Sequence, residues 1–267
     1  MYTTSEIMQF VQENDVKFIR LAFCDESGVM KNISVMPDSL ETVFTDGLSF
    51  DGELVFGGVV GKLTLFPQAS TLMVLPWRPS QGRVIRFFCD IRKTDGSPFE
   101  KDYRFELVQL AEKHQYAFTA ECSFYFLKVD DVGKPLSVPW DEGGYLDIAP
   151  TDKGENVRRE ICLSLNEMGI RGVLSYHGRG AGQNCIKFGA ESPIALADNI
   201  AAFRSAAAAI VARNGLYASF SAQPLKGMPL NGIVIELIRQ SRKDLFCIKS
   251  DENPYIGIKE ILRKTQV

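Results

Sequence analysis

Residues 173–188 read Val173-Leu174-Ser175-Tyr176-His177-Gly178-Arg179-Gly180-Ala181-Gly182-Gln183-Asn184-Cys185-Ile186-Lys187-Phe188, and the residues after the glycines decide the fold. A strand running into a glycine-rich loop cradles phosphate when a helix comes next, because the helix N-terminus points its free N–H groups at the anion. Here Asn184 to Phe188 alternate as a strand, and the lysine and hydroxyl of a Walker sequence are absent. A dinucleotide-binding or P-loop fold does not fit. The expectation is a strand, a mobile hairpin loop and a returning strand, with Arg179 and Gln183 placed to meet a small polar ligand.

Outward from this hairpin, helices and strands alternate irregularly. On the N-terminal side, Asp152 and Glu155 have capping-box spacing ahead of a helix carrying Val157, Ile161, Leu165 and Met168, closed by Gly169. On the C-terminal side, Ser192-Pro193 opens a long alanine-rich helix that ends at Asn214-Gly215. Further back, Arg104 to His114 reads as a helix and Ala117 to Leu127 as a strand. Alternation puts Phe118, Ala120, Cys122, Phe124 and Phe126 on one face of that strand, and Glu121, Ser123 and Tyr125 on the other. One face is core and the other can be a site.

The first hundred residues form a separate pattern. Thr4 or Ser5 caps a short helix, Val16 to Phe23 and Val29 to Met36 form a hairpin around Asp25-Glu26-Ser27-Gly28, and Asp38 caps a helix ending before Gly47. Strands are expected at Lys62 to Phe66, Thr71 to Leu75 and Arg83 to Ile91. Thr94-Asp95-Gly96-Ser97-Pro98 interrupts the pattern and divides the chain into residues 1–97 and 98–267. The class is α+β, with helices packed on antiparallel sheets.

Composition narrows the function. The chain has 267 residues, 45% hydrophobic and 24% charged, with a formal net charge of -3 and no Lys/Arg-rich run, so there is no basic field for nucleic acid. No signal peptide and no segment long enough to span a membrane is read, and the expected location is the cytoplasm. The six cysteines are scattered singly, without a C-x-x-C pair, and are expected as buried free thiols. Only two histidines are present, His114 at a helix end and His177 on the decisive hairpin.

At that hairpin the sequence resembles the glutamine synthetase family, which carries an H-H-E stretch followed by G-Q-[HN]-E on the adjacent strand. Here the corresponding residues are Tyr176-His177-Gly178 and Gly182-Gln183-Asn184-Cys185: the frame is kept and both glutamates are gone. Further segments hold the register. Gly144-Tyr145-Leu146-Asp147-Ile148-Ala149-Pro150 is similar to G-Y-[YF]-D-x-x-P, and Val157-Arg158-Arg159-Glu160-Ile161 to V-R-R-E-I. Phe50-Asp51-Gly52 with Pro67-Gln68-Ala69-Ser70-Thr71 resembles the F-D-G-S-S and M-P-D-x-S-T segments. Ala197-Asp198-Asn199-Ile200 and Gly215 to Phe220 resemble the helix and strand that come next in the family. The resemblance implies a small β-grasp-like domain and the first half of a catalytic domain.

What the resemblance implies for chemistry is ATP-dependent activation of glutamate and attack by ammonia, with two divalent metals held by carboxylates. Of those positions Glu121 is retained, whereas Ser123, Gly178, Cys185 and Val234 stand at the others, and Glu236 replaces a second histidine. Hard Mg²⁺ prefers oxygen to the thiol of Cys185. Glu236 is expected to be solvated or ion-paired. Asp51 occupies the position of an aspartate that the family contributes across a subunit boundary, but Glu53, Leu54 and Lys62 depart from the pattern around it. The sequence given also stops before the family's arginine cluster and glutamate flap.

The resulting expectation is a homologue without catalytic residues and with no cofactor, in which Glu121 is a vestigial metal ligand and Asp51, His177, Arg179 and Gln183 mark a vestigial cleft. It would act by assembly, regulation or binding of an amino acid or nucleotide, as a homo-oligomer or with a full-length glutamine synthetase. The alternative is an ATP-dependent carboxylate–amine ligase, using Mg²⁺ or Mn²⁺, whose missing groups come from a partner chain.

Overall fold

The computed structural model describes residues 3–58, 61–76, 82–112, 116–238 and 243–265. They divide into two compact units, Met1–Gln109 and Leu110–Val267.

The first unit begins with α1 (Thr4–Glu13), β1 (Val16–Cys24), β2 (Met30–Val35), α2 (Leu40–Asp46), β3 (Leu48–Asp51) and α3 (Glu53–Phe56). It continues with β4 (Lys62–Pro67), β5 (Met73–Val74), β6 (Arg83–Lys93) and the start of α4 (Tyr103–Ala111), within which the two units divide. The cap of α1 is Thr3, one residue before the expected position: its hydroxyl accepts the Glu6 N–H while Glu6 reaches back to the Thr3 N–H, the capping box that Thr4 and Ser5 are too late to make. Asp38 sits inside a 3₁₀ turn, and α2 starts without a side-chain cap.

The strands order as β2-β1-β6-β4-β3 with β5 beside β6, and β1 runs parallel to β6 while every other pair is antiparallel. Ile19, Leu21, Phe23, Leu65, Ile85 and Phe87 form the core under α1 and α2. Each such side chain contributes about 1.5–3 kcal/mol on burial.

The second unit holds β7 (Ala117–Val129), β8 (Pro135–Pro139), α5 (Glu155–Glu167), β9 (Gly172–His177), β10 (Gln183–Glu191), α6 (Pro193–Arg213), β11 (Tyr217–Ser219), β12 (Gly232–Ile238), β13 (Lys243–Lys249) and α7 (Pro254–Lys264). Its sheet runs β13-β12-β7-β10-β9, all antiparallel, with β8 and β11 also on β7. The alternation of β7 is as its sequence dictates: Phe118, Ala120, Phe124 and Phe126 are fully buried on the helix side. Phe124 and Phe188 both meet Phe203 of α6 edge-on at 5.3 Å between centroids.

Helix α6 has the expected ends, with the Ser192 hydroxyl accepting the Ala195 N–H and Asn214 closing the last turn. Contrary to the sequence expectation, it is long and apolar enough to cross a membrane, but most of it is buried inside this unit as a core helix, including Leu196, Ile200, Phe203 and Ile210. Helix α5 departs from its expected start. Asp152 makes no box with Glu155, because its carboxylate is drawn instead to the buried guanidinium of Arg158 at 2.7 Å, and Gly154 takes the cap position. Of the cysteines, Cys89, Cys122 and Cys185 are buried as expected, while Cys247 is exposed on the β13 edge. His114 lies outside the described residues.

Candidate functional site

The open face of the second sheet floors a cavity of about 980 Å³. Register decides which side chains reach it. Cys185 of β10 lies opposite Ser123 of β7 and Tyr176 of β9, so these three share a face. Glu121 lies opposite Lys187 on one side and Val234 on the other, and Val234 opposite Cys247 of β13. Because side chains alternate along a strand, Glu121, Ser123, Tyr176, Cys185 and Val234 all point into the same space.

Glu121 is the one carboxylate among the described residues lining the cavity, and one of its oxygens accepts the Tyr176 hydroxyl at 2.6 Å. Burial first, then the bond to Glu121, hold the Tyr176 phenol well above its usual range, so it stays a donor. Ser123 is committed to the backbone: its hydroxyl donates to the Gly232 carbonyl at 3.1 Å and accepts the Gly232 N–H at 2.8 Å, joining β7 to β12. The Cys185 thiol is pushed up to about 12, by burial and then by the charge of Glu121. It is a protonated, inert thiol at neutral pH. Val234 offers only methyl groups. Glu236, further along the face, lies 3.4 Å from the Lys187 ammonium, the ion pair its sequence position predicts.

The expected cleft residues separate. Arg179 and Gln183 line the cavity with Glu121. Gln183, however, is fully used. Its Oε1 accepts the N–H groups of Arg179 and Gly180 at 3.1 and 3.2 Å, and its Nε2 donates to the Leu230 carbonyl at 3.2 Å and to Asn231 Oδ1 at 3.3 Å. With Gly182 N–H bound to Asp141 at 2.8 Å as well, the glycine loop is pinned rather than mobile. Gly182 has φ +71°, and a Cβ there would meet the Phe126 carbonyl oxygen at 2.8 Å, so only glycine fits.

His177 points to the other face of the sheet, opposite Asn184, and is almost wholly buried. Its Nε2 lies 3.0 Å from Asp141 Oδ1 and its Nδ1 3.0 Å from the Gly178 carbonyl oxygen. Both partners accept, so the protonated ring can satisfy both bonds and the neutral ring only one. The bonds to Asp141 and Gly178 outweigh burial and hold His177 above its usual pKa, while Asp141 is held below the usual carboxylate range by His177 and the Gly182 N–H despite its burial. Asp141, Asp152 and His177 are close enough to hold a metal ion together. Arg158 is a cationic group already there, and its guanidinium joins Asp152 to Asn184. Asp51 belongs to the first unit, at the end of β3, where it accepts the Glu53 N–H at 3.1 Å.

Among the cavity residues that the sequence reading did not single out are Tyr176, Leu230 and Lys249. Tyr176 was legible from alternation, which puts it and Gly178 on the face opposite His177. Lys249 lies on β13, whose short, charge-ended sequence does not announce a strand.

Comparison with known proteins agrees with this architecture. Residues 15–94 match the family model for the glutamine synthetase beta-Grasp domain, and residues 105–257 that for the glutamine synthetase catalytic domain. A glutamine synthetase of Clostridium saccharobutylicum is 37% identical over 261 residues, spanning 94% of this chain and 59% of the relative. One from Staphylococcus aureus is 35% identical over 270 residues, spanning 97% of this chain and 60% of the relative. The chain thus spans about 60% of the length of these relatives. In fold it is similar to the Plasmodium falciparum glutamine synthetase solved by cryo-EM, with TM-score 0.78 and 17% identity over 91% of this chain and 55% of that one. It is also similar to a structure described as a GmaS/ADP complex, with TM-score 0.77 and 22% identity over 89% of this chain and 56% of that one. With both domain models matched in order across most of its length, the chain belongs to the glutamine synthetase family.

Proposed function

We propose that this chain does not carry out the glutamate–ammonia ligase reaction by itself, and that it acts through binding of a small molecule or through assembly, with a second copy or with a full-length glutamine synthetase. The observation that supports this reading is the donor set on the cavity face. Two hard divalent cations need several anionic oxygens. Within the cavity the described residues offer one carboxylate already engaged by a tyrosine hydroxyl, a serine spent on the backbone, a protonated thiol and a valine, while Glu236 further along the face is paired with Lys187. These residues do not fit a pair of Mg²⁺ or Mn²⁺ ions, so no phosphoryl-transfer step is assigned to them.

The direct test combines the purified chain with glutamate, ammonia, ATP and Mg²⁺ or Mn²⁺, and measures phosphate release together with amide formation. The expected result is no turnover above a protein-free control. Turnover abolished by Glu121→Ala would sink the reading. If the chain instead raises turnover when mixed with an inactivated full-length homologue, the partner-completed carboxylate–amine ligase takes its place.

A further inference from the structure

The cavity holds one carboxylate among its described lining residues, but it also carries positive charge. Arg179 and Lys249 both line it, against the single carboxylate of Glu121. Lys249 lies opposite Gly232 on β13, in the same cross-sheet row as Ser123, Cys185 and Tyr176, so its side chain rises on the cavity side. No carboxylate among the described residues pairs with either cation. The nearest acids of the adjoining turn are turned to the backbone, with Asp251 accepting the Ala222 N–H at 3.0 Å and Glu252 the Lys249 N–H at 3.3 Å. Glu121 is occupied by Tyr176.

Exposed aliphatic side chains line the same cavity. Val234 is 40% exposed and Leu230 63% exposed, both toward solvent that the cavity admits. Two exposed cations with no carboxylate partner among the described residues, beside exposed aliphatic surface, offer one ligand both charge and apolar contact.

We propose that this cavity binds a small organic anion, a carboxylate or phosphate carried on an apolar body, with Arg179 and Lys249 as its charge partners and with no metal ion. The anion replaces the solvent around the two cations, and Val234 and Leu230 cover the body. The proposal rests on the metal-free reading of the site given above and names the ligand class it leaves.

The test uses the full chain in EDTA with 8-anilinonaphthalene-1-sulfonate, whose fluorescence reports seating of an organic anion, and the neutral N-phenyl-1-naphthylamine as its uncharged counterpart. One-to-one binding of the anion is expected, with the neutral probe about tenfold weaker or worse. Arg179→Gln with Lys249→Gln should weaken the anion about tenfold or more, whereas Arg179→Lys retains it. Both residues are exposed, and an unchanged melting temperature checks the fold. Displacement by benzoate identifies a carboxylate site and displacement by phenyl phosphate a phosphate site. Equal binding of both probes, indifference to the double substitution, or binding that appears only with Mg²⁺ or Mn²⁺ would overturn the proposal. Ligase turnover in the earlier assay would instead refute the proposed inactivity while leaving anion binding in EDTA measurable, so the two failures are distinct.

Discussion

His177 and Ser123 sit on opposite faces of the second sheet, and each is tied to backbone by its side chain. The His177 ring is locked between the Asp141 carboxylate and the Gly178 carbonyl, and Asp141 in turn gathers the N–H groups of Gly182, Gly143 and Lys153. The pair therefore fixes the loop before α5 and the glycine loop to each other. Its pH dependence has a definite sign. A histidine held above its unfolded pKa of about 6.5 contributes stability that is complete below that value and is lost as pH rises through the folded value. Asp141, held below the unfolded carboxylate value of about 3.9, contributes stability that is present above it and lost as pH falls through the folded value. The pair is thus most stabilising between about pH 4 and 6.5. Urea unfolding of the wild type is expected to lose stability as pH climbs above about 6.5, and His177→Gln to be less stable at pH 6 with that part of the slope removed. Identical slopes in the two proteins would show that His177 is not the titrating group.

At the scale of the element, legibility depended on how local each determinant is. Helix α6 was readable because its start and stop signals, Ser192-Pro193 and Asn214-Gly215, act within one turn of the helix they bound. The faces of β7 were readable for the same reason, alternation being a property of the strand alone. The start of α5 was not, since Asp152 had a choice between a local box and the buried Arg158, and only the folded unit brings the guanidinium and Asn184 to the same place. Strands β3 and β8 are short or proline-bounded and take their shape from their neighbours. Of the site, the shared face of Glu121 and Ser123 was legible from strand alternation, but that Gln183 would be saturated by loop amides required the Gly178–Gly182 turn in three dimensions. The cap of α6 can be weighed directly. Ser192→Ala leaves the Ala195 N–H without its acceptor and is expected to lower stability by about 1 kcal/mol, read from the urea midpoint at unchanged m-value. A change of only a few tenths of a kcal/mol would mean that Pro193 and the buried face define the helix start without the hydroxyl.

For the molecule as a whole, two units of the glutamine synthetase family each build their own hydrophobic core, and the cavity face of the second carries one carboxylate among its described lining residues. The second sheet keeps core and cavity apart. Its stability comes from the helix-side face, where Phe118, Phe124, Phe126 and Phe188 are buried, and the cavity positions Ser123, Cys185 and Val234 lie on the opposite face. On that face Ser123 links β7 to β12 through the Gly232 backbone. On the reading proposed above, this face holds together without a cation. A metal that binds only the folded state at a concentration a hundredfold above its Kd stabilises by about 2.7 kcal/mol, enough to raise the melting temperature by several degrees. The expectation here is the opposite: calorimetric scans in EDTA and in millimolar Mn²⁺ should superimpose to within about 1 °C for the second unit's transition. A rise of several degrees in Mn²⁺ that disappears in Glu121→Gln would establish a cation site at the sheet and return the chain to the metal-dependent members of its family.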